Sequence, residues 1–207
     1  MARPIALGLA AVLLVAAPHA AGAGAPTDQL RTQIDRVVKT LEDPELKKES
    51  RTKERRGAVR RIADEIFDFA ETARRSLGLH WAQRSPAERT EFVQLFADLL
   101  ERSYLSKVEL FNGEKITYVG ESIDVEQAMV RTKIMTKQGS EFPIDYRMHR
   151  KDNRWLVYDV LIEGVSLIAN YRAQFNKIIQ TSSYQELVKR MKTKQEEFLE
   201  NQKLRKS

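Results

Sequence analysis

The sequence contains no cysteine and only three histidines. Without cysteine an exported chain has no disulfide framework, so its stability must come from a packed apolar core. Beyond Ala25 no run of eighteen apolar residues occurs, which excludes a further membrane-spanning candidate there. The same region shows no internal repeat, linker or low-complexity block. We therefore expect residues 26–207 to form a single domain.

The N-terminal segment 1–25 has the pattern of a secretory signal peptide. Arg3 supplies a positive charge, thirteen almost purely apolar residues follow from Ile5 to Ala17, and small residues fill positions 21–25. The apolar run is too short to span a bilayer as a helix, and small residues are typical of a signal-peptidase site. We expect cleavage after Ala23 or Ala25. The alternative is an uncleaved membrane anchor.

The mature chain is basic, because removing segment 1–25 takes away only Arg3 and lowers the formal charge from +6 to +5. Basic residues concentrate between Arg51 and Arg61. Such a run is usually a solvated helix face, and the functional alternative is a docking patch for an acidic partner or for anionic headgroups. Nucleic acid is not expected as a partner of an exported protein.

The start of the mature chain predicts two helices. Apolar residues recur at helical spacing from Leu30 to Leu41, and either Thr27 or Asp28 can cap the helix that carries them. Asp43 and Pro44 interrupt this pattern, and proline is typical of the first turn of a new helix. We therefore expect a second helix from Pro44 onwards that contains the basic run.

Cap signals mark the helices that follow. Asp68 can cap a short helix, and the stretch 85–88, Ser-Pro-Ala-Glu, is a capping box with proline at the first helical position. The helix that this box opens carries an apolar stripe as far as Val108. Two further helices are expected after Ser166 and after Ser183, and the second of them again begins with a capping box.

Between these helices the sequence predicts a four-stranded antiparallel sheet. Apolar and polar residues alternate in four segments joined by short polar turns. The segments are 115–120, 127–137, 142–150 and 154–163. The last is apolar on both faces except at Asp159, so it is covered on both faces or lines a cavity with one of them. The expected fold class is α+β, with the sheet wrapped by about six or seven helices.

The sequence contains no recognisable catalytic or metal-binding motif. The histidines lack carboxylate or cysteine neighbours at metal-ligand spacing, and no nucleophile elbow, phosphate-binding glycine loop or zinc-protease helix occurs. Asp145 and Asp159 lie on adjacent predicted strands and could form a carboxylate pair, but ion pairs with Arg147 or Arg172 suit them better. We therefore expect no enzyme activity, no cofactor and no metal.

Ordered blocks of this sequence resemble one known family. The blocks are 67–69, 73–78, 80–81, 85–104, 142–148, 155–160, 162–167 and 170–175. Together, over roughly residues 27–195, they resemble the MlaC family of periplasmic phospholipid-binding proteins, also called toluene-tolerance auxiliary proteins. The charged extension after Lys194 is longer than the family core requires, and we expect it to be peripheral.

The resemblance implies a deep apolar pocket between sheet and helices, at the upper end of the roughly 300–1,000 Å³ typical of ligand sites. It implies a periplasmic carrier that shuttles phospholipid between an outer-membrane lipoprotein–porin complex and an inner-membrane ABC transporter, maintaining outer-membrane lipid asymmetry. We expect a monomer. A binding protein for another apolar molecule, such as a hopanoid, and an enzyme on the same cone-shaped scaffold are the alternatives.

The strand alternation and the stripe of the long helix indicate which residues contact acyl chains. From the helix they are Leu100, Tyr104 and Val108. From the sheet they are Val130, Ile134, Ile144, Tyr146, Met148, Val157, Val160 and Ile162. Ordinary core packing is the alternative for each. Arg147 and Arg172 are candidates for a phosphate contact at the rim, with structural ion pairs as their alternative.

Overall fold

A computed structural model describes residues 25–204, with side chains as far as residue 197, and these residues form six α-helices and a five-stranded sheet. The elements in chain order are α1 Pro26–Glu42, α2 Thr52–Ile66, α3 Phe69–Leu77, α4 Pro86–Val108, β1 Lys115–Asp124, β2 Gln127–Met135, β3 Glu141–Lys151, β4 Arg154–Ile162, β5 Val165–Ser166, α5 Leu167–Thr181 and α6 Tyr184–Leu204. Single 3₁₀ turns occupy Glu49–Arg51 and Gly78–Trp81. The predicted signal peptide lies outside the described residues except for Ala25. None of the helices in residues 25–204 is long and apolar enough to cross a membrane.

The sheet is antiparallel throughout, in the order β1-β2-β3-β4-β5. The four predicted strands are present, and the prediction of only four is corrected by β5, which pairs Val165 with Ile162. Glu163 and Gly164 connect β4 to β5 with positive φ angles of 51° and 81°, which is the pattern of a tight two-residue hairpin turn. A two-residue strand is too short to show alternation, so the sequence pattern could not reveal it.

The predicted starts of the first two helices are wrong. The N-cap of α1 is Ala25, and Thr27 instead donates its backbone N–H and its hydroxyl to Glu121 at 2.7 and 2.6 Å. The second helix begins at Thr52 rather than at Pro44. The Asp43 carboxylate accepts a hydrogen bond from the Glu45 N–H at 2.8 Å, and such local bonds favour a turn over a helix.

The other predicted caps are present. Asp68 caps α3, and Ser85 and Glu88 exchange both bonds of the capping box at the start of α4. Ser166 caps α5 by accepting from the Ala169 N–H at 3.0 Å. At the start of α6 Ser183 accepts from the Glu186 N–H, but the Glu186 carboxylate accepts from Arg190, so only half of the second predicted capping box forms.

Two apolar cores stabilise the fold. One lies among the helices, where Phe92, Phe96 and Phe175 make edge-to-face and stacked ring contacts. The other lies between the sheet and the first two helices, where Leu30 and Ile62 pack with sheet residues. Both cores consist of side chains that are almost completely removed from water, and burial of this kind is the main favourable contribution to folding.

Strand β4 is covered on both of its faces. Val157 is completely buried on the side of α1 and α2, while Asp159 and Leu161 are buried on the opposite side. A bulge between these positions shifts the register, so that Arg147 pairs with Asp159 but Met148 pairs with Val157. The second half of β4 also borders a cavity, through Tyr158, Asp159, Val160 and Ile162. Both alternatives left open by the sequence therefore apply, to different parts of one strand.

Asp159 ties three elements together. Its carboxylate is 3% exposed and accepts hydrogen bonds from Arg147 at 3.2 Å, from the Ser166 hydroxyl at 2.7 Å and from the Ile168 N–H at 3.1 Å. The predicted ion pair with Arg147 is thus confirmed. Asp145 lies opposite Leu161 in the register, so the two aspartates do not form a carboxylate pair.

We expect replacement of Asp159 by alanine to lower the free energy of unfolding by about 3 kcal/mol, because two buried donors and Arg147 lose their acceptor. Urea denaturation followed by circular dichroism measures this change. Asp145→Ala, which removes the same charge from the same sheet, is the matched control and should cost less than about 1 kcal/mol. Equal costs for the two variants would contradict this assignment.

Protonation of Glu71 should contribute to the fall in the free energy of unfolding at low pH. Hydrogen bonds from Arg74 and Arg75 lower the pKa of Glu71 to about 2 from its ordinary 4.5, although burial acts in the opposite direction. Because the folded state has the lower pKa, this stabilisation is present above pH 4.5 and is lost as the pH falls towards 2. Glu71→Gln should therefore lose less stability than the wild type between pH 6 and pH 3 in urea denaturation. Glu54→Gln, on the exposed side of α2, should behave like the wild type.

Candidate functional site

An apolar cavity of about 270 Å³ lies between the helices and one end of the sheet. Helices α2, α3, α4 and the start of α5 form its walls, and strands β3 and β4 form its floor. The apolar side chains of the helical walls are Val59, Ala63, Phe67, Phe69, Ala97, Leu100, Tyr104, Leu105, Val108, Leu167 and Ile168.

Regular backbone geometry places the lining residues. Leu100, Tyr104 and Val108 are spaced four apart, so they lie on one face of α4. On the floor, two cross-strand pairs of β3 and β4 line the cavity, since residues two apart on a strand share a face. These pairs are Ile144 with Ile162 and Tyr146 with Val160.

Seven of the eleven residues proposed from the sequence line this cavity. They are Leu100, Tyr104, Val108, Ile144, Tyr146, Val160 and Ile162. That they contact acyl chains remains a prediction.

The other four residues lie elsewhere. Val130, Met148 and Val157 belong to the buried core beneath α1 and α2 and do not line this cavity. Ile134 lies further along β2, between Ile116 and Phe142 of the neighbouring strands, outside the lining. Strand alternation identifies the face that meets the helices, but it does not tell which part of that face a helix fills.

The sequence reasoning missed the wall formed by α2. Val59 and Ala63 lie four residues apart within and just after the basic run, and both face the cavity. Their spacing, together with buried Ile62 and Ile66, is an apolar stripe at helical period. The stripe is visible in the sequence, but the arginines between its members make the segment look like a charged helix face.

The polar groups in the cavity are neutral or already satisfied. Burial and, to a lesser extent, the neighbouring Tyr171 raise the pKa of Tyr104 to about 12. Burial also raises the pKa of Tyr146. Both phenols therefore stay protonated at physiological pH. The carboxylate of Asp159 accepts three hydrogen bonds. No group of three or more histidines or carboxylates that could hold a metal ion occurs within residues 25–204.

The basic run is largely bound within the protein. Arg55 and Arg56 both donate to Glu109 at the end of α4, and Arg60 forms ion pairs with Asp98 and Glu101 of the same helix. Neither a purely solvated helix face nor a free docking patch describes these three arginines. They connect α2 to α4 along one side of the cavity.

Exposed apolar side chains adjoin the cavity at one end. Val108, which lines the cavity, is 38% exposed. Phe142 and Val165 are also exposed. Phe142 is two residues from Ile144 on one face of β3, and Val165 pairs with Ile162, so both are neighbours of lining residues.

Comparison with known proteins places this fold. It matches the structure of a phospholipid-binding protein from Ralstonia solanacearum that was solved in complex with a phospholipid, with a TM-score of 0.68. The match covers 82% of this chain and 96% of that one at 24% sequence identity, which shows the shared fold. The sequence model described as MlaC protein matches residues 31–193. The resemblance seen in the sequence is thereby confirmed, and the chain belongs to the MlaC family.

Proposed function

We propose that this protein is a periplasmic phospholipid carrier that holds acyl chains in the cavity between the sheet and α4. The observation that supports this most directly is an almost entirely apolar cavity in a member of the MlaC family. The shared fold with a protein solved in complex with a phospholipid supports the same ligand class. Lipid transfer between an outer-membrane lipoprotein–porin complex and an inner-membrane ABC transporter is part of the proposal, as is its role in lipid asymmetry.

Such a carrier needs an environment about as apolar as a membrane. Each methylene buried from water contributes about 0.8 kcal/mol, so an acyl chain is strongly retained while the carrier crosses an aqueous space. Against a bilayer the difference nearly cancels, since both environments are apolar. The lipid can therefore leave when the cavity meets a membrane or a partner, and the exposed Val108, Phe142 and Val165 beside the cavity suit that contact.

We expect the walls of the cavity to move apart when a lipid binds. At about 270 Å³ it lies just below the roughly 300–1,000 Å³ of typical ligand sites, so the prediction of a volume near the upper end was wrong for this conformation. Helices α2 and α4 are joined mainly by long charged side chains. Separation of these two helices would enlarge the cavity without breaking an interdigitated core.

One alternative is a carrier for another apolar molecule such as a hopanoid, which the apolar lining would also suit. An enzyme finds less support, because the phenols in the cavity are held neutral and Asp159 is fully hydrogen-bonded. Acid–base catalysis near neutral pH needs a group that can exchange a proton there.

We expect protein purified from the periplasm without detergent to carry lipid. Native mass spectrometry should show an added mass, and lipid analysis after denaturation should identify a phospholipid. A bound polycyclic lipid would favour the alternative ligand class. A bare mass, together with no uptake from vesicles that contain labelled phospholipid, would contradict the carrier function.

We expect Ala63→Trp to lower the affinity for lipid at least about tenfold, because its ring would displace several methylenes from the cavity at about 0.8 kcal/mol each. Lipid per protein is measured after extraction, and thermal unfolding checks the fold. Ala58→Trp is the matched control, since Ala58 lies on the same helix but does not line the cavity. Equal lipid content in both variants would place the ligand elsewhere.

A further inference from the structure

Two arginines of α2 grip a single carboxylate at the end of α4. Arg56 donates from Nε to both Glu109 oxygens at 3.1 and 3.0 Å, and from Nη2 to Oε2 at 2.8 Å. Arg55 donates from Nη2 to Oε1 at 3.1 Å. The cluster therefore carries two positive charges and one negative charge. Paired guanidinium groups in this arrangement match the oxygens of a phosphate as well as those of a carboxylate.

Arg55 has a second partner besides Glu109. Arg55 also donates from Nη1 to the Leu46 carbonyl at 2.7 Å, and both guanidinium groups face the C-terminal end of α4, where cations are favoured. The same helix end disfavours the negative charge of Glu109. Glu109 is nevertheless only 11% exposed. Burial by itself would raise the pKa of Glu109. The hydrogen bonds and charges of Arg56, and to a lesser extent those of Arg55, outweigh burial and lower this pKa below its usual value. The carboxylate is thus held there by the arginines.

The cluster adjoins cavity-lining residues on both helices, although its own three residues do not line the cavity. On α2, Val59 lines the cavity and lies one turn after Arg55 and Arg56. On α4, Val108 lines the cavity and directly precedes Glu109. Val108 is partly exposed, so this end of the cavity reaches the surface. A lipid whose chains fill the cavity can place its headgroup beside the arginines.

We infer that Arg55 and Arg56 form the binding site for the phosphate of the lipid headgroup, and that Glu109 occupies this site as an internal competitor. The inference rests on the proposed function. When a phosphate takes the place of the carboxylate, Glu109 is released and the ionic link between α2 and α4 is broken, so headgroup binding and widening of the cavity are coupled.

The two arginines suggested by the sequence are less suitable for this role. Arg147 is bonded to the buried carboxylate of Asp159, and the Arg172 side chain lies along Gly78 at the end of α3. Arg147 therefore has a structural role, and neither arginine lines the cavity. The sequence shows Arg55 and Arg56 only as members of the basic run. Their common position opposite the end of α4 appears only in the tertiary structure.

The test compares two ligands with identical chains. Delipidated protein is titrated with dioleoyl phosphatidylglycerol and with dioleoylglycerol, which lacks the phosphate, both dispersed in the same non-ionic detergent. Loss of the charge-assisted bonds in Arg56→Gln and in the Arg55→Gln/Arg56→Gln double variant should lower the affinity for phosphatidylglycerol about tenfold relative to that for dioleoylglycerol. Dioleoylglycerol binding itself should not weaken, because loss of the ionic link between α2 and α4 only makes it easier for the cavity to widen. Glu109→Gln should strengthen phosphatidylglycerol binding several-fold, as expected on removal of a competitor. Arg51→Gln, a control with the same charge change outside the cluster, should alter neither.

Equal weakening of both ligands in the arginine variants, or no change in either, would show a purely structural ion pair and overturn the inference. Because the double variant leaves Glu109 unpaired, the triple variant that also contains Glu109→Gln is measured in parallel with thermal unfolding. It should fold and should also lose the preference for phosphatidylglycerol, and retention of that preference would again overturn the site.

Two further results separate the site from the proposed function. If the wild type binds neither ligand, the carrier function itself fails, and the phosphate site fails with it. If the wild type binds dioleoylglycerol as tightly as phosphatidylglycerol, the carrier function stands and the site is overturned. Inorganic phosphate alone is also titrated, and a thermal shift as large as that with phosphatidylglycerol would assign the arginines to free phosphate instead of a headgroup.

Discussion

The structure depends on how the apolar face of the sheet is covered. Over Val130, Met148 and Val157 the first two helices pack closely, and these three side chains are buried. Over Ile144 and Val160 the opposing helix is α4, which leaves an apolar cavity in between. Hydrophobic burial stabilises the first region fully and the second only in part. That remaining apolar surface is what a hydrocarbon ligand can cover.

Strand β4 supplies the rigid frame for this arrangement. Its outer edge is paired near the middle, at Val157, with Phe67, and at the C-terminal end with β5, so it is not an exposed edge over those stretches. The buried carboxylate of Asp159 then bonds β3, β5 and the start of α5 together. The floor of the cavity is therefore held from several sides, and any change in cavity size falls to the helical wall.

The helical wall is held by charge. Arg55, Arg56 and Arg60 reach from α2 to carboxylates of α4 and its C-terminal end. A pair as buried as Arg55 and Glu109 opens at modest cost only when another anion takes the place of the carboxylate, because a buried charge left without a partner is costly. In the proposed carrier function, the well-packed floor would maintain the fold while the ionic wall would permit the ligand to enter and leave.

The sequence by itself determined the features that are local. The caps at Asp68 and Ser85 and the alternation in β3 depend on neighbours a few positions away, and all were predictable. The class of fold and the family followed as well. Val130 and Val160 have the same alternation, yet one is core and the other lines the cavity. Arg56 and Glu109 likewise meet although they are far apart in the chain. Only the tertiary structure decided the different environments of the two valines and the contact between Arg56 and Glu109, because both depend on which helix lies over which part of the sheet.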